Sequence, residues 1–366
     1  MKPALTWFLL AVLVAGCASP APAASGTPDP TPVPVETKVS AAPRGYITFV
    51  INVHDWVHAD ESADTLLRLV DIFEKYGVRG DFYFTAPVVE AYVNERPDVI
   101  ERLKNSDMTI SYHVRPPHPL YTGFDQRLEG LDDAALYQTL LDYETYALDL
   151  TTGGLDRSRP GGYAYVAQVF GRKPVAAPAP TNNPRIKQIA EQVYASLGAQ
   201  MTLHYHESGT DPYEPFVWSN GLLVRPSDFS VTRTTAVNGR DDFWWNYMTG
   251  PDAALYNPTA LLQSGLADWE SHAYGRPPLI TSLIHENNFP RLGAEAWSAF
   301  YFVMERGRKT DPLLPPYTLA APDPSTLRRD GEQAAIWAAY EEMAAWAAAN
   351  LQVVTSEDLV LLAQGQ

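Results

Sequence analysis

Three clusters in this chain set imidazoles beside carboxylates or other imidazoles: His54-Asp55, His113 with His118, and His285-Glu286-Asn287-Asn288. Each follows a run of β-branched, aliphatic and aromatic residues. An Asp and two neutral imidazoles form a ligand set that suits Zn²⁺ or another divalent first-row ion, with positions left open for water or substrate. Imidazole is also the side chain best matched to acid and base work near neutral pH. A lone histidine at a strand end is an ordinary loop residue. Three clusters at one sheet edge favour a site. Arg115 stands between His113 and His118, and its planar fork suits substrate hydroxyls or carboxylates. The aromatic stretch Phe243–Tyr247, with Trp245 at its centre, is packing material or a platform for a sugar ring. His204 and His206 would share one strand face toward solvent or a cleft, His58 is a surface neighbour of the site, and His272 looks incidental. Asp81 either faces outward from its strand or orients His54 and serves as the base.

The elements that must position these groups are legible in the pattern. Tyr46–Val53 reads as a strand buried on both faces and ends in His54-Asp55. Residues 62–76 carry Leu66, Leu67, Leu69, Val70 and Phe73 at helical spacing, with Gly77 as a stop. A strand over 78–85, a helix over 88–104 and a strand over 108–112 follow. Late in the chain come a helix over 258–271, a strand over 279–284, a helix over 330–349, a strand over 352–355 and a short terminal helix. Such alternation predicts a parallel α/β sheet or barrel, in which ligands bind at the carboxyl ends of the strands. Residues 155–247, rich in Gly, Pro and aromatics, predict shorter strands joined by long loops.

The first residues carry an address. Lys2, the apolar run Leu5–Val14 and the small residues before Cys17 have the form of an export signal too short to span a bilayer. Val14-Ala15-Gly16-Cys17 resembles a bacterial lipobox, which implies lipidation at Cys17 and an extracytoplasmic, membrane-anchored protein. Residues 1–16 are then a signal peptide, 17–44 a Pro-rich tether, and 45–366 one catalytic domain. Cys17 is the sole cysteine, so an internal disulfide is excluded. A net charge of −16 disfavours nucleic-acid binding, while 20 Tyr and 9 Trp suit stacking on sugars.

The order strand-HD, GVRGDFYF, ISYHVRPPHP, RPGG, LITSLIHENN and VVTSEDL resembles the polysaccharide deacetylases, carbohydrate esterase family 4, over residues 46–363. The resemblance implies a distorted (β/α)7 barrel and a divalent metal, Zn²⁺ by its ligands, used to hydrolyse acetyl groups on sugars. It places the metal on Asp55, His113 and His118. It makes His285 the general acid, Arg159 (with Pro160) the group that steadies the base, and Asp268 (with Trp269) the group that orients the acid, with Asp242 or Trp245 as rivals. Three departures stand out: His54 replaces the family's base aspartate, the two metal histidines are five rather than four apart, and Glu286 stands where Asp is common. A neutral His54 as base and a charged His285 as acid predict a bell-shaped pH profile. The function expected is removal of acyl groups from a cell-envelope glycan. The alternatives are another metal-dependent hydrolase on the same barrel and a glycan-binding lipoprotein without turnover.

Overall fold

Residues 43–204, 210–231, 257–293, 295–306 and 308–365 are described by a computed structural model. Strand β1 (Tyr46–Val53) is buried along nearly its whole length. Strands β2 (Gly80–Phe84) and β3 (Thr109–Tyr112) are buried throughout, as expected for parallel strands covered on both faces. Strand β10 (Leu279–His285) pairs with β1 in parallel, Tyr46 opposite Leu279 through Asn52 opposite His285. The ladder order is β3-β2-β1-β10-β9, where β9 is Phe229–Ser230, and the short strand Gln352–Val353 pairs with the start of β1. Beyond β3, Tyr112 N–H donates to Ala176 O at 2.8 Å and Ala177 N–H to Met201 O at 3.0 Å. Those bonds carry the pairing on to β6 (Met201–Thr202) and β8 (Leu222–Val224). The expected parallel α/β architecture is therefore present, and among the described residues no ladder joins β8 to β9.

Alternation along β1 sorts its side chains. Phe49, Ile51 and Val53 face the helices, packing with Leu66, Val70 and Phe73 of α1 (Ala59–Lys75) and with Tyr340 and Met343 of the helix Asp330–Asn350. Val50 faces the other way, into a cluster with Tyr83, Met201, Leu223 and Leu359. Two-residue periodicity places Asn52, and next His54, on that inner side. Asp81 and Tyr83 alternate inward on β2 in the same way. Asp81 is fully buried, which corrects the expectation that it faces outward. Ser111 Oγ donates to its Oδ1 at 2.8 Å, and Arg225 Nη2 and Ser356 N donate to Oδ2 at 2.9 and 3.2 Å.

The helix expected over 88–104 is two helices, α2 (Ala86–Glu95) and α3 (Pro97–Lys104). Arg96 precedes a proline, which disfavours helical geometry, and sits at φ −136°. The middle of the chain is more helical than its composition suggested. After α4 (Asp133–Tyr143) it holds α5 (Gly162–Phe170) and α6 (Pro184–Leu197), both within residues 155–247. The RPGG motif has a packing purpose. A Cβ at Gly161 or Gly162 would lie on backbone atoms of Tyr146 or Glu144, and Gly162 has φ +53°. Glycine at both positions lets α5 start against the end of α4. The terminal TSED sequence is a capping box, Thr355 N–H donating to Asp358 Oδ2 at 2.8 Å. Among the described residues no helix is long and apolar enough to cross a membrane.

Candidate functional site

The carboxyl ends of β1 and β10 meet at the centre of the site. Asn52 and His285 are register partners, and Asn52 Nδ2 lies 3.1 Å from His285 Nε2. The chain after β1 is held from β10: one oxygen of Glu286 accepts from the backbone N–H of His54 at 2.8 Å and of Asp55 at 2.6 Å. The rings of His54 and His285 are then 4.7 Å apart, centroid to centroid. Glu295, from the loop after β10, completes a group whose ligand atoms all lie within 4.8 Å of one another. All three side chains are buried. Lys309 Nζ donates to Glu295 Oε2 at 3.4 Å and sits over the Trp297 ring, and Arg115 Nη2 is 3.2 Å from His285 Nε2.

Hydrogen-bond direction fixes the proton positions. The Trp297 indole N–H donates to His54 Nδ1 at 3.0 Å. An indole can only donate, so a neutral His54 carries its proton on Nε2, which is 4.0 Å from Glu295 Oε1. Arg115 likewise can only donate, so His285 Nε2 is an acceptor and the neutral ring bears its proton on Nδ1. Burial, and then the positive charge of Arg115, holds His54 well below the ordinary imidazole range. Burial pushes His285 down to about 3, against the pull of the Glu295 carboxylate. Burial thus favours the neutral form of both rings. Burial acts to raise the Glu295 carboxyl, but Lys309, His285 and Arg115 outweigh it and keep the group ionised. Burial and the nearby Asp55 raise Glu286 to about 8.

The histidines expected to bind metal are placed differently. Asp55 Oδ1 accepts from the backbone N–H of Val57 and His58, at 3.1 and 3.2 Å. His118 Nδ1 accepts from Leu120 N–H at 3.2 Å, and its Nε2 lies 3.4 Å from Glu144 Oε1, at the end of α4. His113 Nδ1 donates to Val114 O at 2.9 Å, and its ring centroid is 6.2 Å from that of His54. The structure thus does not gather Asp55, His113 and His118. Among the described residues the gathered group is His54, His285 and Glu295. Loop 115–120 turns His118 toward α4, and the amides after Asp55 claim its carboxylate.

Arg159 pairs with Glu90 at the surface, with half its side chain exposed, so it does not steady His54. Its strand, Leu155–Pro160, is exposed toward its end. Asp268 is exposed on the helix Pro258–His272, and the orienting contacts on His285 come from Asn52, Arg115 and Asn288 instead. His204 Nε2 bonds Glu191 at 2.8 Å, and His58 pairs with Asp323 at 2.6 Å, clear of the centre. Cys17, His206, Asp242 and Trp245 lie outside the described residues. The sequence reading missed Glu295, Trp297 and Lys309. Its one available signal was an acid two residues before an indole, soon after the His285 strand.

Solved structures similar to this chain include a protein from Mycobacterium smegmatis assigned as a polysaccharide deacetylase, at 13% identity and TM-score 0.47, covering 89% of this chain and 92% of that one. PuuE allantoinase is similar at 12% identity and TM-score 0.47, covering 88% and 91%. The peptidoglycan deacetylase PdaC from Bacillus subtilis is similar at 12% identity and TM-score 0.35, covering 88% and 92%. No protein-family model and no curated protein matches the chain.

Two imidazole nitrogens and a carboxylate oxygen are a donor set that a divalent ion accepts. His54 Nε2 is buried with no hydrogen-bond partner among the described residues, as an ion site requires. The fit carries a condition at each ring. His54 ligating through Nε2 must bear its proton on Nδ1, where the Trp297 N–H now points, so the indole has to withdraw, and the one lone pair of His285, on Nε2, is free for an ion only when Arg115 gives it up. Beside the centre a cavity of about 260 Å³ opens along His113 and Arg115.

Proposed function

We propose that this chain is a hydrolase that removes an acyl group from a cell-envelope glycan, working at the His54–His285–Glu295 centre and tethered outside the cytoplasm through Cys17. The observation that carries this reading is the burial of two neutral imidazoles and one carboxylate within 4.8 Å at the carboxyl ends of β1 and β10. The motif order of the sequence supports the choice of an acylated glycan. His54, His285 and Glu295 would hold a divalent ion, for which we propose zinc among the first-row ions the donor set suits, and it would supply Lewis acidity toward an acyl carbonyl. Arg115 reaches both the centre and the cavity, so its guanidinium is placed to donate to a carbonyl oxygen as negative charge develops there. Lys309 keeps Glu295 ionised, and the cluster of Phe124, Trp297, Phe300 and Tyr301 screens the centre from water. Chelator-stripped protein should regain acetate release from acetylated oligosaccharides with about one equivalent of Zn²⁺, and Glu295→Gln should abolish that recovery. Undiminished release from stripped protein would overturn the assignment.

A second reading, a glycan-binding protein without turnover, is favoured by one observation. In each ring of the centre a nitrogen already accepts from a protein N–H donor, Trp297 for His54 and Arg115 for His285. Glycan binding that neither needs metal nor releases acetate would establish it.

A further inference from the structure

The cavity beside the centre is lined by Trp56, Tyr143, Tyr146, Leu148, Tyr165 and Tyr301 among others, so its walls are chiefly aromatic and aliphatic. The polar side chains on the wall are few beside the apolar area: Thr85, Asn94, His113 and Arg115, with His118 accepting from Leu120 N–H and facing Glu144, and Glu90 pairing with Arg159. A sugar ring carries hydroxyls around its whole rim, more than these few groups match, and each one buried against apolar wall without a partner costs about 1–3 kcal/mol. An apolar group incurs no such penalty and gains by leaving water. Size narrows the choice. An apolar cavity of about 150 Å³ holds benzene, so about 260 Å³ holds roughly ten heavy atoms. An acetyl group, with three heavy atoms, leaves most of that space unfilled.

We propose that this cavity binds a large apolar acyl group, a medium-length aliphatic or aromatic one, and that it sets the substrate class of the neighbouring centre. The proposal rests on the deacylase reading for its chemistry, because Arg115 lies on the cavity wall and within 3.2 Å of His285. The acyl tail then occupies the cavity with its carbonyl directed at Arg115. In the reaction, water adds to the carbonyl carbon and the acyl C–O bond breaks. The alcohol leaves with one proton, and the acyl group leaves as the carboxylic acid.

Two measurements test this on the full chain loaded with Zn²⁺. The first compares kcat/KM for p-nitrophenyl acetate, hexanoate and benzoate. The larger esters should be favoured at least tenfold after correction for their intrinsic reactivity, whereas equal or greater preference for acetate overturns the proposal. The second needs no turnover and compares benzamide and hexanamide with acetamide by thermal shift and calorimetry. The two larger amides should bind at least tenfold more tightly than acetamide. Ala91→Trp, filling the cavity from α2, and Leu148→Trp, filling it from a separate lining segment, should each remove that preference. Retention of the preference in both variants, or its absence in the unaltered chain, overturns the proposal. Binding of the larger amides without hydrolysis of any ester would uphold the cavity and sink the deacylase reading. Acetate-selective hydrolysis without amide binding would do the reverse.

Discussion

At the scale of single residues, the centre is governed by which nitrogen holds a proton. Trp297 and an incoming ion compete for opposite tautomers of His54. Trp297→Phe removes the indole donor, so ion affinity measured by calorimetry should rise about tenfold, the equivalent of one hydrogen bond of roughly 1.4 kcal/mol. Unchanged affinity would separate Trp297 from ion binding. His285 is held down first by burial and then, among the positive charges, by Arg115 and Lys309. Arg115→Gln should move the His285 titration, followed by side-chain nitrogen NMR, upward while leaving it below the ordinary imidazole range. A static midpoint would show that burial acts alone. The sequence reading found His54 and His285 because both follow strongly patterned strands. It missed Glu295 because the loop that delivers it has no periodicity to read.

At the scale of elements, the segment joining α4 to α5 turns around one carboxylate. Glu144 is fully buried, accepting from Tyr194 OH at 2.6 Å and from Tyr163 N–H at 2.9 Å. Burial raises it from 4.5 to about 7. A carboxyl raised on folding gives stability that is whole below its unfolded value and is lost as pH climbs through the folded one. The window here is therefore about 4.5 to 7, and the loss reaches on the order of 3 kcal/mol. Glu144→Gln should remove this dependence. By urea unfolding, the variant should gain on the unaltered chain by that order between pH 5 and pH 8, and parallel curves would refute the assignment. The same region shows where composition misleads. Its Gly and Pro content reads as loop, yet Gly162 opens one helix and Pro184 another, where the missing N–H of proline costs nothing. The break between α2 and α3 was legible in principle from Arg96-Pro97, but apolar spacing runs across it.

At the scale of the whole molecule, the alternation of strands and helices was readable because β1 and β10 are nearly continuous apolar runs. What stays hidden in such runs is which polar residue faces inward. Asp81 shows this: Arg225, brought from the far end of the strand series, and Ser356, at the head of the last helix, both close on it. Removing one partner of a buried pair costs about 3–5 kcal/mol. Arg225→Met should lower unfolding stability by that amount, and adding Asp81→Leu should restore most of it. Equal losses in the single and double variants would deny the coupling. The carboxyl oxygen of Glu286 that accepts two successive amides has a comparable reach. Those amide protons are shielded from deuterated solvent while the turn after β10 holds the end of β1. Their exchange should be as slow as that of the deepest core amides, and faster exchange would show that the turn lets go of the centre without the sheet opening.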